Sequence, residues 1–164
     1  MMAQINQVDM KHIPFKVIYR PFLLLITALW LCACVYGQQE KPVATKILFD
    51  GGASWEATLQ KAAAAHKYIF VDAYASWCVP CKLLKATTFR NREVARFFNQ
   101  HFVNLSLDME KGEGETLSAK WEVQSYPTLI IFDATGKPVL ETIGFLKPAE
   151  LLRFARQALG KEEK

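Results

Sequence analysis

Residues 77–81, Trp77-Cys78-Val79-Pro80-Cys81, place two cysteines three positions apart between a predicted strand and a predicted helix. Residues 68–74 before them form a short apolar run with β-branched and aromatic side chains, which is typical of a buried strand. Residues 82–86 after them are typical of a helix. The second sulfur lies about one helical turn from the first, so the pair can form and break a disulfide.

The two cysteines are predicted to have different roles. Cys78 stands at the start of the helix, where unpaired backbone N–H groups and the positive end of the helix dipole favour the thiolate over the thiol. We therefore expect Cys78 to be the nucleophile and Cys81 to resolve a mixed disulfide. Pro80 suits the first helical turn, because its missing N–H breaks no helical hydrogen bond there.

A metal site and a structural disulfide are the alternatives for the cysteine pair. A zinc site usually needs four ligands, but His66 and His101 are isolated and no second C-x-x-C follows. A structural disulfide that closes so small a loop would stabilise the fold little. We predict a redox-active pair with no metal and no other cofactor. A metallochaperone using the pair with either histidine, and a client-binding module with incidental redox activity, remain as alternatives.

The composition supports one domain with a sizeable core, because the 164 residues are 51% hydrophobic and 12% aromatic. The net charge is +4, but Lys11, Lys16 and Arg20 all precede the N-terminal apolar run. Removing residues 1–37, which include these cations and Asp9, leaves +2. So small a charge argues against nucleic acid as a partner.

The N-terminal apolar run, residues 21–36, follows a basic flank and falls short of the ~20 apolar residues that a spanning helix needs. It is more typical of a secretory signal. Residues 31–34, Leu-Cys-Ala-Cys, resemble a bacterial lipobox in which Cys34 would become the lipidated first residue. The alternatives are cleavage after Gly37 and an uncleaved anchor. We favour the lipoprotein, and all three readings place the domain outside the cytoplasm.

The sequence thus divides into a signal at residues 1–37, a polar linker at 38–45 and a domain at 46–164. Met10 followed by Lys11 is a more ordinary start for such a signal than Met1. We expect an exported, periplasmic protein that the lipid anchor can hold at the membrane.

The patterning of the domain alternates strands and helices and then ends in a hairpin and a helix. The predicted elements are strands at 46–49, 68–74, 102–108, 128–132 and 138–143, and helices at 54–66, 82–86, 91–101, 115–121 and 148–160. This order predicts an α/β fold with a mixed central sheet and helices on both faces. The sheet should be parallel in its first part and end in an antiparallel hairpin.

At this point residues 46–160 resemble the thioredoxin family. Residues 71–82 are similar to its active-site block, residues 125–128, Ser-Tyr-Pro-Thr, to its cis-proline loop, and Gly144 to a glycine that borders its substrate groove. The pattern is most similar to the exported bacterial branch, and so to the periplasmic terminal domain of DsbD-type thiol:disulfide interchange proteins. The resemblance implies a thioredoxin fold and a monomeric thiol-disulfide oxidoreductase. It also implies protein disulfides as substrates and a membrane thiol-reductant donor.

The resemblance also implies roles for individual residues. Asp72 should be buried beneath the cysteines with a raised pKa and should take the proton from Cys81. Pro127 should be cis and leave the adjacent backbone free to pair with an extended substrate. The predicted substrate-binding residues are Trp77, Val79, Pro80, Tyr126, Pro127 and Gly144.

Two departures from the family pattern affect these expectations. Val79 replaces the glycine most common between the cysteines of thioredoxins, so the dipeptide is stiffer and more apolar. Asn104 stands where many thioredoxins have a lysine near the buried acid. We therefore expect Asp72 to lack a cationic neighbour.

Overall fold

The structure, a computed structural model, describes residues 44–160. The predicted signal, both processing sites and most of the linker lie outside these residues. The helices are α1 (Trp55–Ala65), α2 (Val79–Ala86), α3 (Arg92–His101), α4 (Glu113–Lys120) and α5 (Pro148–Ala158), with a 3₁₀ turn at Thr88–Arg90. The strands are β1 (Tyr68–Tyr74), β2 (Phe102–Asp108), β3 (Thr128–Phe132) and β4 (Pro138–Ile143). Of the helices in residues 44–160, none is long and apolar enough to cross a membrane.

The strands form one mixed sheet in the order β2-β1-β3-β4. β1 pairs with β2 in parallel, with Asp72 opposite Ser106. β1 and β3 are antiparallel, and the β3–β4 hairpin is antiparallel with a register shift near Phe132. The predicted mixed sheet and its closing hairpin are therefore confirmed.

Helices cover both faces of the sheet, because successive side chains of a strand point to opposite sides. Phe70 on β1 faces a core that contains Leu84 of α2, Phe98 of α3 and Leu151 of α5. The alternate side chains of β1 face a second core with residues of α1 and α4, including Trp55, Ala62 and Leu117. Asp72, two residues after Phe70, consequently points toward the α2 side of the sheet.

Helix ends follow the predicted caps. The Ser54 side chain accepts a hydrogen bond from the Ala57 N–H, and His66 closes α1 in a left-handed conformation. The Asn91 side chain accepts hydrogen bonds from the N–H groups of Glu93 and Val94 at the start of α3. These contacts pair backbone donors that a helix end leaves free.

The predicted first strand at residues 46–49 is wrong. Only Phe49 bridges to β2, opposite Asn104. The Ile47 N–H donates to the Phe89 carbonyl and the Leu48 N–H to the Asn99 side chain, so these donors do not reach β2. The predicted helix at 115–121 begins two residues earlier, at Glu113.

Candidate active site

The cysteine pair lies where β1 leads into α2. Cys78 is the N-cap of α2 and forms a disulfide with Cys81, with the two Cα atoms 5.4 Å apart. The Cys81 N–H donates to the Cys78 sulfur at 3.2 Å. A thiolate at Cys78 would receive this N–H and the positive end of the α2 dipole, and both stabilise a negative charge.

The disulfide is recessed between more exposed side chains. Cys78 and Cys81 are each only 1% exposed, and Tyr74 and Tyr126 pack against them. Trp77 and Val79 on either side of Cys78 are 64% and 73% exposed. The two exposed side chains are therefore available to a partner, while little of either cysteine reaches the surface.

The cis-proline loop lies beside the cysteines, because Tyr126 packs against them. The Tyr126–Pro127 peptide is cis, as the resemblance implied. The ring of Tyr126 meets that of Trp77 edge-on, with 6.0 Å between centroids. The Gly144 N–H donates to the Pro127 carbonyl at 2.8 Å. The structure thus brings Trp77, Tyr126, Pro127 and Gly144 together around the cysteine loop. Pro80 lies in the first turn of α2, as predicted.

Trp77 is held in place despite its exposure. Its indole N–H donates to a Glu110 carboxylate oxygen at 2.8 Å, and Glu110 follows the end of β2. Together with the Tyr126 contact, this bond ties the active-site loop to the two loops on either side. A positioned aromatic ring presents apolar area to a partner at a small cost in conformational entropy.

Asp72 is fully buried in the middle of β1. Its Oδ2 accepts a hydrogen bond from the Ser106 hydroxyl at 2.8 Å, while its Oδ1 has no hydrogen-bond partner among the described residues. Burial raises the pKa of Asp72, and the Lys85 charge and the Ser106 hydrogen bond offset part of that rise. A buried carboxylate with a raised pKa and a free oxygen is suited to accept a proton.

The expectation that Asp72 lacks a cationic neighbour is wrong. The Lys85 Nζ lies 3.5 Å from Asp72 Oδ2 and 3.0 Å from the centroid of the Tyr74 ring. Asn104 instead donates from its amide to the Leu48 carbonyl and the Asn99 side chain. Burial lowers the pKa of Lys85, and the negative charge of Asp72 opposes this effect. The cation therefore comes from α2 rather than from β2.

Sequence reasoning missed the roles of Lys85, Ser106 and Glu110, although two of them left a signal. Lys85 is four residues after Cys81, so both side chains lie on the same side of α2. Ser106 is directly opposite Asp72 in the parallel pairing of β1 with β2. The predicted strands at residues 68–74 and 102–108 are compatible with this pairing. Glu110 lies in a loop, where no periodicity predicts which side chain it meets.

The structure does not assemble a metal site from the histidines. Among residues 44–160, no group of three or more His, Cys, Asp or Glu side chains is placed to hold a metal ion. His66 ends α1, and His101 lies at the end of α3 with its ring 4.6 Å from that of Phe97.

Comparison with known proteins connects this geometry to a family. A family model described as a thioredoxin-like domain matches residues 55–159. The chain is 39% identical to a Bacteroides thetaiotaomicron protein provisionally described as a disulphide-isomerase. Its solution structure has a TM-score of 0.64, and the match covers 73% of this chain and 98% of that one.

Two curated relatives match over a smaller share of their own length. A protein disulfide-isomerase of Triticum aestivum is 29% identical over 103 residues, which are 63% of this chain and 20% of the relative. A thiol:disulfide interchange protein DsbD of Tatumella citrea is 30% identical over 101 residues, or 60% of this chain and 18% of the relative. The chain therefore spans about a fifth of the length of these curated relatives.

Proposed function

We propose that this chain, which belongs to the thioredoxin-like domain family, is a thiol-disulfide oxidoreductase of the bacterial envelope. We propose that it reduces protein disulfides. The observation that carries this proposal is the Cys78–Cys81 disulfide at the start of α2, with buried Asp72 in the strand before it. The cis Tyr126–Pro127 peptide beside the cysteines supports it, since we expect the backbone of that loop to pair with an extended partner segment. Trp77 and Val79 offer that segment apolar contact.

The reaction starts from the reduced dithiol. The Cys78 thiolate attacks one sulfur of the substrate disulfide, which forms a mixed disulfide and releases the other substrate sulfur as a thiolate. Asp72 takes the proton from the Cys81 thiol, and the Cys81 thiolate then attacks the Cys78 sulfur. This step forms the Cys78–Cys81 disulfide and releases the second substrate thiolate. Two electrons pass from the dithiol to the substrate, whose two thiolates take up protons according to their pKa values.

Each turnover leaves the protein as the disulfide, so a second dithiol must reduce it again. In an oxidising compartment that dithiol needs its own source of electrons, and we propose a membrane thiol-reductant donor. A relative named as a DsbD thiol:disulfide interchange protein supports this choice. We propose that the same exposed surface around Trp77 and Val79 receives both donor and substrate, because it flanks the only cysteine pair in residues 44–160.

The direction of electron flow is tested by the reduction potential of the Cys78–Cys81 pair. We expect a value nearer the ~−270 mV of thioredoxin than the ~−120 mV of the oxidant DsbA. Equilibration of the full chain with glutathione or dithiothreitol buffers, followed by mass analysis of alkylated thiols, gives the potential. A value near that of DsbA would exclude the reductant and leave an oxidant.

Export and anchoring are proposed from the apolar run at residues 21–36 and from the relatives named DsbD. We propose that Cys34 becomes the lipidated first residue of the mature protein. Mass spectrometry of the mature N-terminus from a bacterial membrane fraction should then find a lipid-modified Cys34. A mature chain that begins at Gln38 would show cleavage after Gly37 instead, and an N-terminus at Met1 or Met10 would show that no processing occurs.

A further inference from the structure

A basic cleft lies beside α2, between residues 46–49 and the 3₁₀ turn. Its volume is about 360 Å³, and its charged lining residues are Lys46, Lys85 and Arg90. The remaining lining residues are apolar and include Leu48 and Phe89, so no acidic side chain lines the cleft.

The three cations come from different parts of the chain. Lys46 belongs to a bend that precedes α1, Lys85 to α2, and Arg90 to the 3₁₀ turn that follows α2. Within the described part of the chain, neither Lys46 nor Arg90 forms an ion pair. Lys85 is paired only with Asp72, at 3.5 Å, and its side chain remains 36% exposed. Three positive charges around one small cleft raise the local concentration of anions.

We propose that this cleft binds a phosphate group and that Lys85 couples the bound phosphate to Asp72. Phosphate carries up to two charges and several acceptor oxygens, which suit a set of two ammonium groups and a guanidinium. The apolar lining and Leu48, which is 60% exposed, would also accept the organic part of a phosphate ester. The phosphate could be free in solution or part of an anionic lipid headgroup, because both present the same oxygens.

The coupling follows from the position of Lys85 between two anions. Its ammonium lies beside the Asp72 carboxylate and also lines the cleft, so Asp72 and a bound phosphate compete for one positive charge. Removing the charge of Asp72 should therefore tighten phosphate binding. The coupling is reciprocal, so bound phosphate should make Asp72 harder to ionise.

The first experiment is a titration of the ¹⁵N-labelled full chain, held in a neutral detergent, with inorganic phosphate. We expect saturable shifts of the Phe89 and Arg90 amide signals. Arg90→Gln and Lys46→Gln should each weaken the affinity about fivefold or more, because each removes a direct charge-assisted contact. Lys137→Gln in the β3–β4 loop is the matched control, since it removes one surface cation outside the cleft and should leave the affinity unchanged. Circular dichroism verifies that each variant is folded.

The second arm distinguishes the sources of phosphate. Binding of the full chain to phosphatidylcholine vesicles is compared with binding to vesicles that also contain phosphatidylglycerol. The apolar N-terminal run contributes to both, and its basic flank with Lys11, Lys16 and Arg20 favours phosphatidylglycerol in every variant, so the variants are compared with each other. A preference for phosphatidylglycerol that Arg90→Gln lowers and Lys137→Gln retains would identify a lipid headgroup. An equal preference in Arg90→Gln and the wild type, with the phosphate titration positive, would identify a soluble phosphate.

The third arm tests the coupling with Asp72→Asn at pH 8. We expect phosphate to bind about twofold to fivefold more tightly than to the wild type, because a negative charge near Lys85 is gone. An unchanged affinity would refute the coupling. Absence of saturable phosphate binding, or equal weakening by Arg90→Gln and Lys137→Gln, would refute the site. None of these outcomes depends on turnover, so they leave the redox proposal to its own tests.

Discussion

A Cys81→Ser variant is expected to accumulate mixed disulfides at Cys78 and to lose turnover by at least about a thousandfold. Cys78 keeps the α2 N-terminus and can still attack a substrate disulfide. Without the Cys81 thiol, no neighbouring sulfur can release the substrate. Non-reducing electrophoresis and mass spectrometry of complexes from native membranes would then identify both clients and donor.

The matched control is Cys78→Ser, which keeps one cysteine of the pair but removes the predicted nucleophile. We expect few or no covalent complexes, because Cys78 and not Cys81 holds the N-cap position of α2 that favours a thiolate. Peptide mapping must place each trapped bond on Cys78, since Cys32 and Cys34 are also present in the chain. Equal trapping by both variants would show that Cys78 is not the dedicated nucleophile.

The same variants separate the alternative functions. If clients remain bound when both cysteines are replaced by serine, the protein is a binding module and the redox chemistry is incidental. A metallochaperone would retain a stoichiometric metal in the purified wild type, and elemental analysis would find it.

Thiolate titration of the reduced protein with iodoacetamide tests the physical basis of the mechanism. A Cys78 pKa no lower than the ~8.5 of free cysteine would contradict stabilisation by α2.

The fold could be predicted from the sequence largely because local signals agreed with each other. The apolar run of β1, the Ser54 and Asn91 caps and the β3–β4 hairpin each have a short-range cause. Residues 46–49 have an equally strand-like pattern, but their donors are taken by Phe89 and the Asn99 side chain. Competition among long-range partners cannot be read from a local pattern, so this prediction was wrong.

The site was predictable in its sulfur chemistry but not in its electrostatics. The residue pattern indicated Cys78 and Cys81, and the resemblance to the family implied a buried Asp72. Asn104 on β2 led us to expect no cation beside Asp72, but Lys85 on α2 supplies one. Which of two elements supplies a charge depends on how a helix packs over a sheet, and one sequence does not specify that rotation. The resemblance to the family implied the roles of the site residues, but it did not indicate that Lys85 supplies the positive charge beside Asp72.

Replacing Asp72 by Asn is the second change with a large expected effect, and the first part of that effect is on rate. Asp72 is the proposed acceptor for the Cys81 proton and must be ionised to act. Because burial raises its pKa, the wild-type rate of the resolving step should rise with pH through that raised value. The variant should be slower by about a hundredfold near neutral pH. Its rate should approach the wild-type rate only as pH nears the ~8.5 of an ordinary thiol.

Stopped-flow measurement of mixed-disulfide resolution across this pH range checks the expectation. The charged and titratable groups around Asp72 are Lys85 on α2 and Tyr74 on β1, with the Ser106 hydroxyl on β2. Lys85→Gln should move the wild-type pH profile to higher pH, because it removes a charge that lowers the pKa of Asp72. A purely structural role for Asp72 would instead lower the rate equally at every pH.

The second part of the effect is on stability, and its sign follows from the same raised pKa. Below the pKa of Asp in the unfolded chain, about 4, the carboxyl is neutral in both states and destabilises nothing. As pH rises from there to the raised pKa of the folded state, the unfolded chain loses its proton first and folding becomes less favourable. Asp72→Asn should therefore unfold at higher denaturant concentration than the wild type above this window. We expect a gain of about 1–3 kcal/mol in the free energy of unfolding, because the cost of burying the ionised Asp72 outweighs its attraction to the partly exposed Lys85.

Asp133→Asn in the β3–β4 loop provides a control of opposite sign. Asp133 is partly exposed, and hydrogen bonds from Thr135 and from the Lys137 N–H lower its pKa. Its stabilising contribution is present above the unfolded pKa and is lost as pH falls, so its replacement should weaken the fold slightly at neutral pH. Urea unfolding of both variants at pH 4 and pH 8 compares the two carboxylates directly. Equal stability of Asp72→Asn and the wild type at both pH values would mean that burial does not destabilise the ionised form of Asp72. Its pKa would then not be raised, and the proton-acceptor role would lose its physical basis.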